Sequence, residues 1–383
     1  MDENTRGTGG GDETVGAKVG KRKVNAAVLR APGEPLSVET VTLEVPGPHQ
    51  VRVSLAASGV CHSDLSIQNG TLPFMFPTVL GHEGAGVVEA VGSEVTRVRV
   101  GDHVVLCWMP ACRECFWCRV GQPVLCENGL TEAFTAPYGT LESGEVLIPG
   151  LGTATFAEAT LVSERSVVKI DERIGLDQAA LVGCALSTGI GAVARTAEVP
   201  AGSSVAVVGC GGVGLAAIVG ARLAGASKIV AVDRVSAKLA IASLIGATDV
   251  VDSSSSDPVA AVRAITEGRG VDYAFEVVGR SSTIKQAFQM ARRGGTAVIV
   301  GAGSADDDVS FSAMDLFVDA KRILGCVYGS VDADRDFPWL VGLIMDGNVD
   351  ASAFVSRRIG LDDVNDAFKS MEAGEVTRSV IIY

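Results

Sequence analysis

The chain is expected to be an α/β protein in which a doubly wound parallel sheet stands beside a separate β-rich domain. Three observations carry that expectation. From about residue 186 onward, near-continuous apolar strands alternate with glycine turns and apolar helices, the rhythm of a parallel sheet covered on both faces. Before that point, short alternating runs such as "HQVRVSLAAS" and "AGVVEAVG" lie among Val, Gly and Pro, as hairpin strands do. The 383 residues also include 46 glycines, many in G-x-G clusters, which suits tight turns between strands and helices better than a helical bundle.

The N-terminal residues 1–23, "MDENTRGTGGGDETVGAKVGKRK", are polar and glycine-rich with no apolar core, so they read as a disordered tail rather than a signal peptide. Their basic group, Lys18, Lys21, Arg22 and Lys23, reads as a solvated charge run. No uninterrupted apolar stretch has the length of a membrane span, because Arg222 breaks "LAAIVGARLAGASKIVAV". A formal net charge of -13 argues against nucleic acid or an anionic membrane as partner. The expected location is cytoplasmic. The nine cysteines are an odd number, and there the clustered ones are better read as ligands than as disulfides.

Residues 24–185 form the β-rich region, and within it the lobe 107–130 holds "ACRECFWCRVGQPVLC". Cys112, Cys115, Cys118 and Cys126 follow the pattern C-x₂-C-x₂-C-x₇-C. A disulfide framework, a redox pair and a metal cage are the three readings. Adjacent x₂ spacings make poor disulfide partners but let four thiolates surround one tetrahedral ion, so a closed, structural zinc site is expected. Cys107 lies outside the spacing and reads as a buried apolar residue. A second set is dispersed: Cys61 in "GVCHSD", His82 and Glu83 in "GHEGAG", and Cys184 in "VGCALSTG". Singly, each is an ordinary core residue. Together, three ligands from separate loops would leave a fourth position open, as catalytic zinc requires.

Residues 186–327 carry the parallel sheet. "SSVAVVG" and "KIVAVD" read as strands followed by the helices "GLAAIVGARLAG" and "SAKLAIASLIG"; "VDYAFEVVG", "GTAVIVGAG" and "RILGCVYGS" read as further strands. Gly209, Gly211 and Gly214 have the G-x-G-x-x-G spacing, with Gly212 and Val213 inside it. The spacing alone is a weak signal. Here a β-branched strand precedes it, an apolar helix follows, and Asp233 closes the next strand 24 positions after Gly209. Such a turn admits a dinucleotide pyrophosphate at a helix N-terminus, and Asp233 would accept the adenosine ribose hydroxyls and repel a 2′-phosphate. NAD(H) is therefore expected, with Arg234 the feature that keeps NADP(H) open. Residues 328–383 end in a helix and a strand expected to return to the first domain.

The string from Gly81 to Val98, "GHEGAGVVEAVGSEVTRV", fits G-H-E-x₂-G-x₅-G-x₅-V in full. With the four-cysteine lobe and the dinucleotide turn, the chain resembles the zinc-dependent medium-chain alcohol dehydrogenase family from about residue 24 to its end. The resemblance implies a GroES-like catalytic domain (24–185 and 328–383), a Rossmann domain (186–327), two zinc ions per chain, NAD(H), and an active site in the cleft between the domains. By position, Cys61, His82 and Cys184 match catalytic zinc ligands, and Glu83 matches an acidic neighbour able to approach the metal. Asp64 matches the carboxylate that orients the histidine, and Ser63 the hydroxyl that contacts the substrate oxygen. His62, Lys238 and Arg378 match cofactor contacts; Thr188, Val300, Ala302 and Val327 match the surroundings of the nicotinamide. Leu72 and Trp108 match the substrate pocket, with core packing the alternative for Trp108.

The implied activity is reversible, NAD-linked oxidation of medium-chain or aromatic alcohols to aldehydes or ketones. Ser66 stands where many members carry a relay histidine; a serine is not a base at neutral pH, so the last proton step would pass through water or His62. A runner-up comes from "GCGGVG" and the C-terminal run, which resemble thiol-dependent formaldehyde dehydrogenases, the mycothiol-dependent branch in particular. Gly70, Leu72 and Leu130 replace the charged thiol-adduct contacts of the glutathione-dependent branch. A non-catalytic NAD-binding sensor would keep the four-cysteine lobe and lose the dispersed ligands, all of which are present here. The resemblance also implies a homodimer through edge strands, with "TAVIVGAG" and "RILGCVYGS" as candidates.

Overall fold

A computed structural model describes residues 20–135, 137–375 and 377–383. Its N-terminal half closes a small barrel from the strands Arg22–Leu29, Ser37–Leu43, Gly139–Leu141, Val146–Pro149 and Thr78–Val79. Beside it lies a seven-stranded, largely antiparallel sheet centred on Gln50–Gly59 and Glu83–Val91. In the second half of Glu83–Val91, buried and half-buried residues alternate, as on a strand with one face toward a core.

The first ordered strand begins at Arg22, inside the stretch expected to be tail. Lys21 and Lys23 are 2.7 and 3.3 Å from Glu44 and Glu142, and Arg22 pairs with Glu89. The strand ladder itself takes them in, Arg22 opposite Leu43 and Lys23 opposite Thr42, whereas Lys18 lies outside the described residues.

The second half builds a six-stranded, all-parallel sheet in the order Asp249–Asp252, Lys228–Asp233, Ser204–Val208, Val271–Glu276, Ala291–Ile299, Arg322–Gly325. The order reverses at Ser204–Val208, which leaves a crevice outside the carboxyl ends of the strands, where doubly wound sheets take ligands. The glycine-led helix Gly212–Leu223 is buried along almost its whole length. "TAVIVGAG" is not an edge: Ala291–Ile299 is hydrogen-bonded on both sides, and only Arg322–Gly325 of the two candidates is free on one.

The C-terminal strand Ser379–Ile382 pairs antiparallel with Gln50–Gly59 and parallel with Arg357–Ile359, so the chain ends in the sheet it started. Two segments therefore cross between the sheets, near residues 184–191 and 326–332, and the crevice lies between them. Among the described residues, no single helix is long and apolar enough to cross a membrane.

Candidate active site

One buried carboxylate organises the first two segments of the candidate metal cluster. Cys61 is the N-cap of the short helix His62–Gln68, and Asp64 stands three residues on, where a side chain can reach back to the N-cap amide. Its Oδ2 accepts the Cys61 N–H at 3.2 Å, while Oδ1 accepts the Gly81 N–H at 3.0 Å and lies 3.0 Å from Nδ1 of His82. A histidine held at Nδ1 presents Nε2 to whatever stands in front of it. Gly81 has φ +92°, and a Cβ there would lie 2.5 Å from the Phe156 ring, so only glycine brings the chain to His82 by this path.

Glu83 opens the next strand. Its register partner is Gly59, where a Cβ would stand 2.0 Å from Glu83 Oε2; the missing side chain makes the space the carboxylate fills. Arg378, just before the C-terminal strand, sets Nη1 2.9 Å from Glu83 Oε1 and donates to the Val60 carbonyl at 3.0 Å. Cys184 comes from a third place, the break between the turn Ala180–Gly183 and the helix Ala185–Gly191. One ligand atom each from Cys61, His82, Glu83 and Cys184 falls within 4.8 Å of the others, and all four residues are buried.

The electrostatics of this cluster call for a cation. The hydrogen bond from Cys184 holds the Cys61 thiol well below its usual range, and the same bond together with burial pushes Cys184 well above it. Two buried sulfurs sharing one proton are a pair that a metal ion would let ionise together. Burial also raises Glu83 to about 7, against the pull of Arg378.

The lobe cysteines form the second cluster, again within 4.8 Å of one another. Cys112 and Cys118 sulfurs are 4.0 Å apart, as are those of Cys115 and Cys126. A tetrahedron with ~2.3 Å zinc–sulfur bonds has edges of about 3.8 Å, whereas a disulfide needs ~2.05 Å. Backbone N–H groups of Cys112 and Cys115 point at the sulfurs of Cys126 and Cys112 at 3.2 and 3.3 Å. Against the burial that raises it, such amide donors hold the Cys112 thiol at about 6. Both clusters suit zinc in donor type and spacing. Cys107 is apart from them, fully buried, its thiol pushed up to about 12 by burial.

Residues 47–172 match the family model described as the alcohol dehydrogenase GroES-like domain, and residues 212–346 the model described as zinc-binding dehydrogenase. A relative from Schizosaccharomyces pombe, named probable S-(hydroxymethyl)glutathione dehydrogenase 1, is 38% identical over 93% of this chain and 96% of its own. The chain belongs to the zinc-dependent medium-chain alcohol dehydrogenase family. Among solved structures, an alcohol dehydrogenase zinc-binding domain protein from Burkholderia ambifaria is 35% identical with a TM-score of 0.89, covering 94% of this chain and 99% of that one. A benzyl alcohol dehydrogenase from Acinetobacter calcoaceticus is 33% identical with a TM-score of 0.88 over the same shares. The zinc-dependent dehydrogenase thus has a GroES-like domain and an NAD(H)-binding Rossmann partner.

A cleft of about 860 Å³ runs between the sheets of this dehydrogenase. On its Rossmann side it is lined by Gly209, Gly211, Gly212, Val213 and Gly214, then by Asp233, Arg234 and Lys238. Val300, Ala302 and Val327 line it further along. Asp233 is tied to the glycine turn, Oδ2 accepting the Cys210 N–H at 2.7 Å and Oδ1 the Val235 N–H at 2.9 Å. From the catalytic side come Cys61, His62, Ser63, Cys184, Thr188 and Arg378, with Leu72 and Trp108 at the same end. Asp64, His82 and Glu83 are buried and do not line the cleft.

The sequence reading missed a second group of lining residues. Ser253, Arg280, Thr283 and Gln286 follow the third and fourth strands of the parallel sheet, and Met371 and Glu372 come from the C-terminal helix. Ser253 and Arg280 had the signal of standing just beyond a strand end; Thr283, Gln286, Met371 and Glu372 lie within helices and had none. The side chain of Leu130 lies outside the described residues.

Proposed function

We propose that this dehydrogenase oxidises apolar primary or secondary alcohols, medium-chain or aromatic, to aldehydes or ketones with NAD⁺, reversibly. The observation that carries the reading is one cleft that reaches Cys61 and Cys184 of the three-ligand cluster, the glycine turn, and the apolar side chains of Leu72 and Trp108. Cys61, His82 and Cys184 would hold zinc, with Glu83 within reach as an alternative donor. Zinc in that position supplies a Lewis acid that makes an alcohol hydroxyl acidic at neutral pH, and NAD⁺ is the hydride acceptor.

The chain's own residues do the rest. Ser63 Oγ, 3.8 Å from Cys61 Sγ, can relay the alcohol proton, accepting it while releasing its own hydroxyl proton toward water or His62. His62 is exposed beside it and can pass the proton to solvent, since Ser66 is not a base. Asp233 would receive the adenosine ribose hydroxyls, and Gly212 with Arg378 the pyrophosphate. Thr188 backs the nicotinamide end from the helix that starts at Cys184.

The name of the Schizosaccharomyces relative favours a second reading, oxidation of a hydroxymethyl thiol adduct. Against a glutathione adduct, Gly70 and Leu72 offer no charge to its carboxylates; a mycothiol adduct remains the runner-up. A substrate panel followed at the NADH absorbance separates these readings: benzyl and medium-chain alcohols against formaldehyde with each thiol. Turnover restricted to formaldehyde plus a thiol would replace the first reading with the second. Cys184→Ala should abolish turnover of any substrate while leaving NADH binding.

A homodimer through the free edge Arg322–Gly325 fits this reading. Next to it in the chain, the helix Ala313–Asp319 leaves Met314 and Phe317 65% and 81% exposed. Light scattering of the eluted protein tests it.

A further inference from the structure

The crossing segment between the parallel sheet and the C-terminal region contains three successive left-handed residues: Tyr328 at φ 52°, Gly329 at φ 70° and Ser330 at φ 52°. Two of them carry a Cβ, so the conformation is unfavourable and persists only where neighbours hold it. The neighbours are specific. A Cβ on Gly329 would stand 2.3 Å from the Ser187 carbonyl oxygen, and one on Gly191 would stand 2.6 Å from the Gly329 oxygen; the two backbones touch. Thr196 holds the far side, its Oγ1 2.8 Å from Ser330 Oγ and 3.2 Å from Cys326 Sγ.

The result of this held conformation is the placement of one side chain. Tyr328 is buried, and its hydroxyl donates to the carbonyl of Gly183, the residue before the ligand Cys184. Its ring is tilted against Trp108 at 4.7 Å between centroids, and Trp108 meets the His82 ring edge-on at 6.2 Å. Phe337 closes the back of Tyr328 at 6.4 Å. One phenol therefore braces two ligand segments that come from different parts of the chain, one by a hydrogen bond and one through an intervening indole. Cys184 needs such a brace: its backbone (φ -152°, ψ -67°) lies at the break between two helical turns, and no side-chain cap holds the following helix.

We propose that Tyr328 is a positioning residue for the metal centre, its hydroxyl fixing the Cys184 ligand and its ring fixing His82 through Trp108. Its ring also borders the cleft, but in this role it acts through Cys184 and His82 rather than on the reacting atoms. The inference rests on the cluster's being a metal centre, and the test separates the two claims by reading the metal directly.

Tyr328→Phe keeps the ring and removes only the hydroxyl. In the cobalt-exchanged holoenzyme the sulfur-to-cobalt absorption of the catalytic site should shift, and a chelator should strip that site about 10-fold faster than in the parent, as happens when groups behind metal ligands are lost. kcat with the best alcohol should fall by a similar factor, while KM for NAD⁺ and the thermal midpoint change little. Trp108→Phe, which weakens the second brace and also alters the cleft wall, is read at the metal alone: it should leave the cobalt–sulfur absorption unshifted but also speed metal loss. An unshifted spectrum and unchanged metal loss in Tyr328→Phe would overturn the proposal, as would a fall in kcat without any change at the metal. If the parent protein binds no metal in the Cys61–His82–Cys184 cluster, the fault lies with the dehydrogenase reading itself.

Discussion

Asp64 and His82 stand 3.0 Å apart, carboxylate oxygen to Nδ1, with 1% of either side chain exposed. The same carboxylate accepts amide protons from Cys61 and Gly81, so it sets the position of two candidate ligand loops at once. Asp64→Asn keeps the shape but loses the charge and gives the amide a nitrogen that cannot accept. Zinc retention against a chelator and kcat/KM should both fall by about 10- to 100-fold, with NADH affinity unchanged. Metal content after dialysis, measured beside NADH fluorescence, checks it; weakened NADH binding with normal zinc would contradict it.

The four lobe sulfurs should behave as one unit distinct from the cleft. Elemental analysis is expected to give two zinc ions per chain in the parent and one in Cys118→Ser. Arg113, between two of these cysteines, pairs with Asp332 and Asp334 at 2.5 and 2.6 Å, which ties the lobe to the start of the helix Ala333–Met345. Loss of the metal should therefore expose the lobe to proteases before the rest of the chain. Uniform cleavage across the protein would count against it.

Gly212 faces Arg378, and a Cβ there would come within 2.6 Å of its Nη2. Arg378 is buried and held at Nη1 by Glu83 and the Val60 carbonyl, yet the clash falls on its side chain and not on backbone, so Gly212→Ala should shift the guanidinium rather than unfold the helix. NADH affinity is expected to fall by about 10-fold, roughly 1.4 kcal/mol, from the lost or misdirected contact. Circular dichroism and zinc content should be unaltered, and an unchanged NADH titration would dissociate Arg378 from cofactor binding.

Asp336 gives a pH prediction that does not involve the metal. Its side chain is fully buried, which alone would raise its pKa. The guanidinium of Arg335, the Asp332 N–H and the charge of Arg195 overcome this and hold it below the ordinary range. A lowered folded pKa means stability that is complete above the unfolded value, ~3.9, and is lost as pH falls through the folded one. Asp336→Asn should cost about 2 kcal/mol near neutrality, and that deficit should shrink on acidification toward pH 3. Urea unfolding of both proteins across that range is the measurement; a deficit that grows in acid would reverse the assignment.

Much of this could be read from residue order because the signals are local. A strand, three glycines at fixed offsets and an apolar helix are one continuous segment, and backbone sterics alone make it a phosphate-admitting turn. The lobe cysteines likewise lie within fifteen residues, close enough for chain geometry to bring them together. Other features depended on partners distant in sequence. Arg22 and Lys23 left the expected tail because they pair in register with Leu43 and Thr42 on the next strand. "TAVIVGAG" became an inner strand because the next strand paired alongside it, and apolar composition does not distinguish an edge from a centre.

The sequence by itself determined the donor types, the glycine turn, the acidic strand end and the two-domain rhythm, since each depends on neighbours a few positions away. Only the tertiary structure decided that Cys61, His82 and Cys184 converge, that Arg378 reaches Glu83 across nearly 300 positions, and that Tyr328 stands behind the ligands. Those contacts arise from the return of the last strand to the first sheet and from a left-handed crossing held by a touching pair of glycines. Packing of this kind is a property of how faces meet, and no local pattern encodes it.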